Sequence, residues 1–137
     1  SAPSLAKVAA SDWLADESLA DEVFGPFGLV VICDNAEEML AVAKGLHGQL
    51  TCTLHLEPSD EALAQKLMPI LEHKAGRVLA NGFPTGVEVC DGMMHGGPYP
   101  ASTNFGATSV GAMSIRRFLR AVSYQNLPDA LIPQDLL

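Results

Sequence analysis

Few residues in this chain are of a type and spacing that could do chemistry. Glu22 and Phe24 stand two residues apart on one side of the approach to Gly25-Pro26, a carboxylate and an aromatic that local pattern reads as part of a surface turn before a core strand or, alternatively, as facing a ligand. Pro26 fixes its own φ and biases Gly25 toward an extended conformation, which makes that approach stiff. Three cysteines (Cys33, Cys52, Cys90) and four histidines (His47, His55, His73, His95) are scattered, without the short spacings metal ligands use. Neither a disulfide framework nor a metal site is expected. Cys90 is the thiol expected to be most open to solvent, yet no base or cation lies close in sequence to activate it. An α/β enzyme built on Cys90 and His95 therefore ranks last of three functional readings.

The elements that must hold these residues are legible from pattern. Leu29 to Cys33 are apolar without alternation, as in a parallel strand covered on both faces. Upstream, Ser4 to Ala10 reads as a short strand, Ser11-Asp12-Trp13 as a turn with Trp13 packing beneath it, and Leu14 to Ala20 as a helical turn. Downstream, Asn35 with Glu38 three residues later forms a capping box for an amphipathic helix ending at Gly45 to Gly48. Leu50 to Leu56 alternates strictly, with Leu50, Cys52, Leu54 and Leu56 on the core face. Ser59 is placed to cap the next helix, whose buried stripe is Leu63, Leu67, Ile70 and Leu71 and which Gly76 stops. Arg77 to Asn81 is the next strand. Strand, helix, strand, helix, strand with short links predicts an α/β fold of consecutive βαβ units forming a parallel sheet. Ligands in such sheets sit beyond the carboxyl ends of the strands, which points to Asn81, Gly82 and the loop after them.

That loop runs from Gly82 to Gly106 and is crowded with Gly and Pro, but its Met, Tyr and Phe content argues for function rather than disorder. Gly96-Gly97 permits a close backbone approach. Ser114 to Leu119 reads as helical and Ala121 to Gln125 as a terminal strand needing a partner. The tail beyond it carries enough Leu and Ile to be sticky if left uncovered, so an intersubunit role is expected.

With 137 residues, one domain burying about two-thirds of its extended surface is expected. A hydrophobic fraction of 48% against 18% charged residues leaves apolar surface for an interface. A net charge of −8 without a basic cluster sets nucleic acid aside. No leader and no apolar run of membrane-spanning length is seen, so the chain is expected to be soluble and cytoplasmic, without a membrane partner.

The order Glu22-Val23-Phe24-Gly25-Pro26, apolar strand, helix, strand, helix, Ala75-Gly76-Arg77-Val78, Asn81-Gly82, Gly-Gly loop and terminal strand resembles the carboxyl-terminal part of an aldehyde dehydrogenase, over nearly the whole chain. His95-Gly96-Gly97-Pro98-Tyr99-Pro100-Ala101-Ser102 and Ala121 to Asn126 are similar to the branch that oxidises α-ketoglutarate semialdehyde. The resemblance implies that Glu22 hydrogen-bonds the nicotinamide ribose hydroxyls of NAD or NADP and that Phe24 packs beside the same end. It also implies that Asn81, Gly82, His95, Gly96 and Gly97 line the aldehyde pocket. Residues 1–117 would belong to a catalytic domain, and residues 118–137 would form an oligomerisation strand and tail in a homo-oligomer. In that family the nucleophilic Cys, the general-base Glu and the dinucleotide fold all precede the Glu-x-Phe-Gly-Pro motif. No catalytic residue is therefore expected here, the isolated chain is expected to be inactive and without bound cofactor, and its missing amino-terminal part becomes an expected partner. The remaining reading is a free-standing oligomerisation or binding module that keeps the fold without the chemistry.

Overall fold

The computed structural model describes residues 2–84, 86–87 and 90–136. Strand β1 (Ser4–Ala9) runs directly into helix α1 (Ala10–Ala15), where a turn at Ser11 to Trp13 was expected. A six-residue helix cannot stand on propensity alone. It is held by Trp13, buried with its ring against Gly45. A 3-10 turn at Glu17–Ala20 then leads to β2 (Phe27–Ile32).

Helix α2 (Ala36–Gly45) starts as the capping box requires, with Glu38 N donating to Asn35 Oδ1 at 2.9 Å. The Glu38 carboxylate reaches back one residue further than expected, accepting from Asp34 N at 2.8 Å. β3 (Gln49–Leu54) follows, then α3 (Glu61–Lys74) and β4 (Ala75–Ala80). Ser59 does not cap α3. Glu57 and Asp60 cap each other across the Pro58–Asp60 turn, and α3 grows out of that turn. Nor does Gly76 stop the helix, because the chain passes from Lys74 straight into β4 and Gly76 is a strand residue.

All strand pairing is parallel, as the βαβ order demands, but it is divided between two sheets of two strands, β1-β2 and β3-β4. The single sheet expected from sequence is not formed. No Cα of β2 lies within 8 Å of one in β3, although neighbouring strands sit about 4.8 Å apart. The β3-β4 half is the better packed. Leu67 and Leu71 of α3 and Ala43 of α2 form the core, with Leu40, Cys52, Leu54, Leu63, Ile70 and Val78 against them. The stripe is the one the periodicity indicates, but of the expected core face of β3 only Cys52 and Leu54 reach the core; Leu50 is exposed and Leu56 lies past the end of the strand.

β2 is covered on one face only. Leu29 and Val31 are half-buried, whereas Val30 and Ile32 are exposed beside Leu5, which is 76% exposed. No strand forms at 121–125, and every residue from 115 to 131 is exposed. A strand satisfies its backbone only against a partner. The Gly82 to Gly106 loop holds no helix or strand among its described residues; Thr85, Glu88 and Val89, which fall within it, lie outside them.

The accessible surface is 10184 Å². Scaling from a mass of 14.4 kDa gives about 6,800 Å² for a self-contained protein, so the chain exposes roughly half as much again. It buries about half of its extended surface, not the expected two-thirds or so.

Candidate functional site: a cleft beside the amino ends of the strands

Glu22 is placed by the turn that precedes it. Asp16 accepts hydrogen bonds from the Ser18 hydroxyl (2.7 Å) and the Ser18 N–H (3.0 Å), closing the 3-10 turn and holding its own carboxyl below the usual range. Past Phe24, Gly25 adopts φ +138°, outside the extended region expected before Pro26 and open in practice only to glycine. Phe27 N donates to Gly25 O, and Ser4 N donates to Pro26 O, both at 2.8 Å, fastening this corner to β1. Glu22 thereby stands exposed on the wall of a 540 Å³ cleft with His47, Gln49, Thr51, Pro100 and Ala101. Phe24 is 92% exposed and is not part of that wall.

Pro100 and Ala101 reach the cleft because the Gly-Gly loop crosses the amino ends of β3 and β4. A side chain at Gly76 would run into the Gly96 carbonyl, one at Gly97 into the Gln49 carbonyl, and one at Gly48 into the Pro98 carbonyl. Only glycine allows this backbone-on-backbone contact. The loop is tied down again at His95. Its N–H donates to Thr108 Oγ1 at 2.9 Å, and its carbonyl accepts from the Ser109 N–H and hydroxyl at 3.1 and 3.0 Å. Thr108 is only 2% exposed and donates its own hydroxyl hydrogen to Val110 O at 2.9 Å.

The residues assigned to the aldehyde pocket therefore fall into two groups. His95, Gly96 and Gly97 meet the amino ends of β3 and β4, whereas Asn81 and Gly82 follow the carboxyl end of β4, about 17 Å away along a six-residue strand. Asn81 is a clamp. At φ 52° its side chain accepts from Leu56 N (2.8 Å) and donates to Leu56 O (2.9 Å), while its own N–H donates to Leu54 O at 2.9 Å. The cavity at that end, 310 Å³ between α3 and the β3-β4 sheet, is lined by Leu54, Met68 and Val78 among others, and by neither Asn81 nor Gly82.

The three thiols lie apart in the fold. Burial pushes the Cys52 thiol up. Burial, and then the Glu38 and Asp34 carboxylates, push Cys33 up as well. Cys90 is exposed, and among the described residues no hydrogen bond joins it to His95. The same residues contain no cluster of side chains suited to a metal ion and no helix long and apolar enough to cross a membrane.

His47, Gln49 and Thr51 join the cleft without having been singled out in the sequence. The one available signal was Gly48, which reads as a helix stop but serves as the landing point of the loop.

No protein-family model matches the chain. Among curated proteins it is 53% identical over 132 residues to alpha-ketoglutaric semialdehyde dehydrogenase 2 of Azospirillum brasilense, covering 96% of this chain and 25% of that protein. It is 50% identical over 118 residues to alpha-ketoglutaric semialdehyde dehydrogenase of Acinetobacter baylyi, covering 86% of this chain and 22% of that protein. The chain thus spans about a quarter of the length of the curated relatives it matches. At this identity, and with Glu22 to Pro26 leading into a parallel βα framework, the chain belongs to the aldehyde dehydrogenase superfamily as a carboxyl-terminal segment.

Proposed function

We propose that this chain is the carboxyl-terminal segment of an NAD(P)-dependent dehydrogenase that oxidises α-ketoglutarate semialdehyde to the carboxylate, and that it is inactive by itself. The observation that carries the reading is the identity of 53% over 96% of the chain to a protein of that name. The surface excess supports the segment reading, because an independent binding module would cover more of its apolar side chains.

Within this reading Glu22 accepts hydrogen bonds from the nicotinamide ribose hydroxyls. A carboxylate offers two oxygens for a diol, and Glu22 is exposed on a cleft wall with polar neighbours Gln49 and Thr51, so the residues present fit the group. Phe24 would pack beside the nicotinamide once the rest of the enzyme closes over it. The cofactor supplies hydride acceptance when bound; the thiolate that attacks the aldehyde and the Glu that activates water for thioester hydrolysis come from outside this chain. The His95-Gly96-Gly97 loop borders the aldehyde side, and Asn81 and Gly82 hold the frame from the other end. The segment from 118 to 137 serves a homo-oligomer of the parent enzyme, which works in the cytoplasm.

The test uses the intact parent polypeptide and the 137-residue chain side by side. The parent is expected to oxidise 2,5-dioxopentanoate with NAD or NADP and the chain to give no turnover. Glu22→Gln in the parent should lower kcat/KM for the cofactor about 10- to 100-fold, as expected for one charge-assisted hydrogen bond. A parent without aldehyde oxidation, or an isolated chain with it, overturns the proposal.

A further inference from the structure

We infer that the hollow walled by His95, Ser102, Thr103, Asn104, Ser109 and Arg117 receives the carboxylate end of the aldehyde substrate, and that Arg117 selects an aldehyde that is also a 2-oxo acid over an uncharged one. The inference rests on the functional reading above, whose substrate carries a carboxylate and a 2-oxo group at the end remote from the aldehyde. The hollow has a volume of 340 Å³, and its walls are tied to one another. One wall is the Gly-Gly loop at His95. It is fastened to a second wall by the His95 N–H on Thr108 Oγ1 at 2.9 Å and by the Ser109 N–H and hydroxyl on the His95 carbonyl. The third is the turn at Ser102 to Asn104, where Asn104 N donates to Ser102 Oγ at 3.1 Å and Ala107 N donates to Asn104 O at 3.3 Å. Pro100 and Ala101 line the Glu22 cleft, and the residues directly after them line the hollow, so the two spaces adjoin across one stretch of backbone. A substrate with its aldehyde at one end and its carboxylate at the other requires such a pair of neighbouring sites.

The lining suits an anion. Among the described residues no Asp or Glu borders the hollow, although the chain holds 16 acids against 8 Lys and Arg. Arg116, Arg117 and Arg120 stand close together in sequence, so a chain of net charge −8 gathers positive potential here. Of these three only Arg117 lines the hollow, and it is exposed. Its guanidinium lies 5.5 Å from the Phe118 ring centre and donates through Nη1 to the Ser109 carbonyl at 3.4 Å. Among the described residues its other N–H donors have no partner, and a planar fork of donors matches a carboxylate. Ser102 Oγ accepts from Asn104 N, which leaves the hydroxyl hydrogen to donate to the 2-oxo oxygen.

The test uses the intact parent polypeptide with two variants. Arg117→Met keeps an unbranched apolar stem and loses the charge; Arg117→Lys keeps the charge and loses the fork. The first readout is the ratio of kcat/KM for 2,5-dioxopentanoate to that for pentanal, an uncharged aldehyde of the same chain length. That ratio should fall about 10- to 100-fold in Arg117→Met, as for loss of a charge-assisted hydrogen bond, and less in Arg117→Lys. The second readout is calorimetric titration with 2-oxoglutarate, the product of the proposed reaction, whose Kd should rise by a similar factor in Arg117→Met. An unchanged ratio in an active parent, or an unchanged Kd, overturns the inference. An equal loss with both aldehydes, accompanied by a lower Tm, overturns it as well, because Arg117 would then be an ion-pair partner of the parent's own carboxylates. A parent that oxidises neither aldehyde, yet loses 2-oxoglutarate binding in Arg117→Met, keeps the hollow and removes the proposed function; an active parent with an unchanged ratio does the reverse.

Discussion

Two stretches of this chain are rich in apolar side chains and end in opposite states. From Gln49 to Ala80 the chain closes on itself as strand, helix and strand, with Leu67 and Leu71 buried beneath it. From 115 to 131 every residue is exposed, including Phe118, Leu119 and Val122. The difference lies in where the partner is. α3 brings β4 back to β3 within the chain, whereas the later segment pairs with none of the described strands. Apolar content alone does not fold a segment; a matching surface at short range does.

Breaking the packed half should have the largest effect. Leu67→Ala is expected to cost about 2–5 kcal/mol in urea denaturation of the isolated chain, the range for emptying a buried leucine site. A loss much below 1 kcal/mol would mean that the core is looser than described. Next comes the contact between that half and the loop. Gly76→Val places a side chain against the Gly96 carbonyl and should cost about 1–3 kcal/mol, the usual penalty of overpacking. Amide shifts from His95 to Ala101 would report the displaced loop, and unchanged shifts would contradict the contact. Asn81→Ala removes both side-chain bonds to Leu56 and should cost about 2 kcal/mol, at about 1 kcal/mol per bond. Asn81→Gly loses the same bonds but keeps the positive φ open, so it should cost less; the two variants denatured side by side separate the contributions. Smallest of all, Val122→Asp should leave the stability of the isolated chain within about 0.5 kcal/mol, as for most substitutions at exposed positions. A larger change would show that Val122 contributes packing its exposure does not indicate.

What the sequence made legible was local. The Asn35 cap on the Glu38 N–H, the Leu63 to Leu71 stripe and the inward facing of Cys52 and Leu54 depend on neighbours a few residues away, and they stand where pattern places them. Ser59 was misread because three acceptors crowd the start of α3, and the Glu57 and Asp60 pair, set by Pro58, captures the turn first. The pairing of β2 with β1 rather than with β3 was not legible, since it depends on what else can reach the free edge. Of the candidate site, the exposure of Glu22 was legible, because Gly25-Pro26 announces the corner beside the cleft wall on which it lies. The expected union of Asn81 and Gly82 with Gly96 and Gly97 did not emerge. Nothing near residue 96 in the sequence tells the loop to turn toward the amino ends of the strands; the instruction is held by Gly48 and Gly76, each at least twenty positions earlier.

Those glycines also set an order of events. The loop can seat only on a surface that both strands have already completed, because its three contacts reach Gly48, Gln49 and Gly76 at once. Closing so long a span costs chain entropy that no local contact repays in advance. The β3-α3-β4 unit is thus the template and the loop the late arrival, and on opening the loop should leave first, with the amides of Gly96 and Gly97 exchanging by a smaller fluctuation than those of β4. The wall that Pro100 and Ala101 give to the Glu22 cleft exists only while that last piece is home.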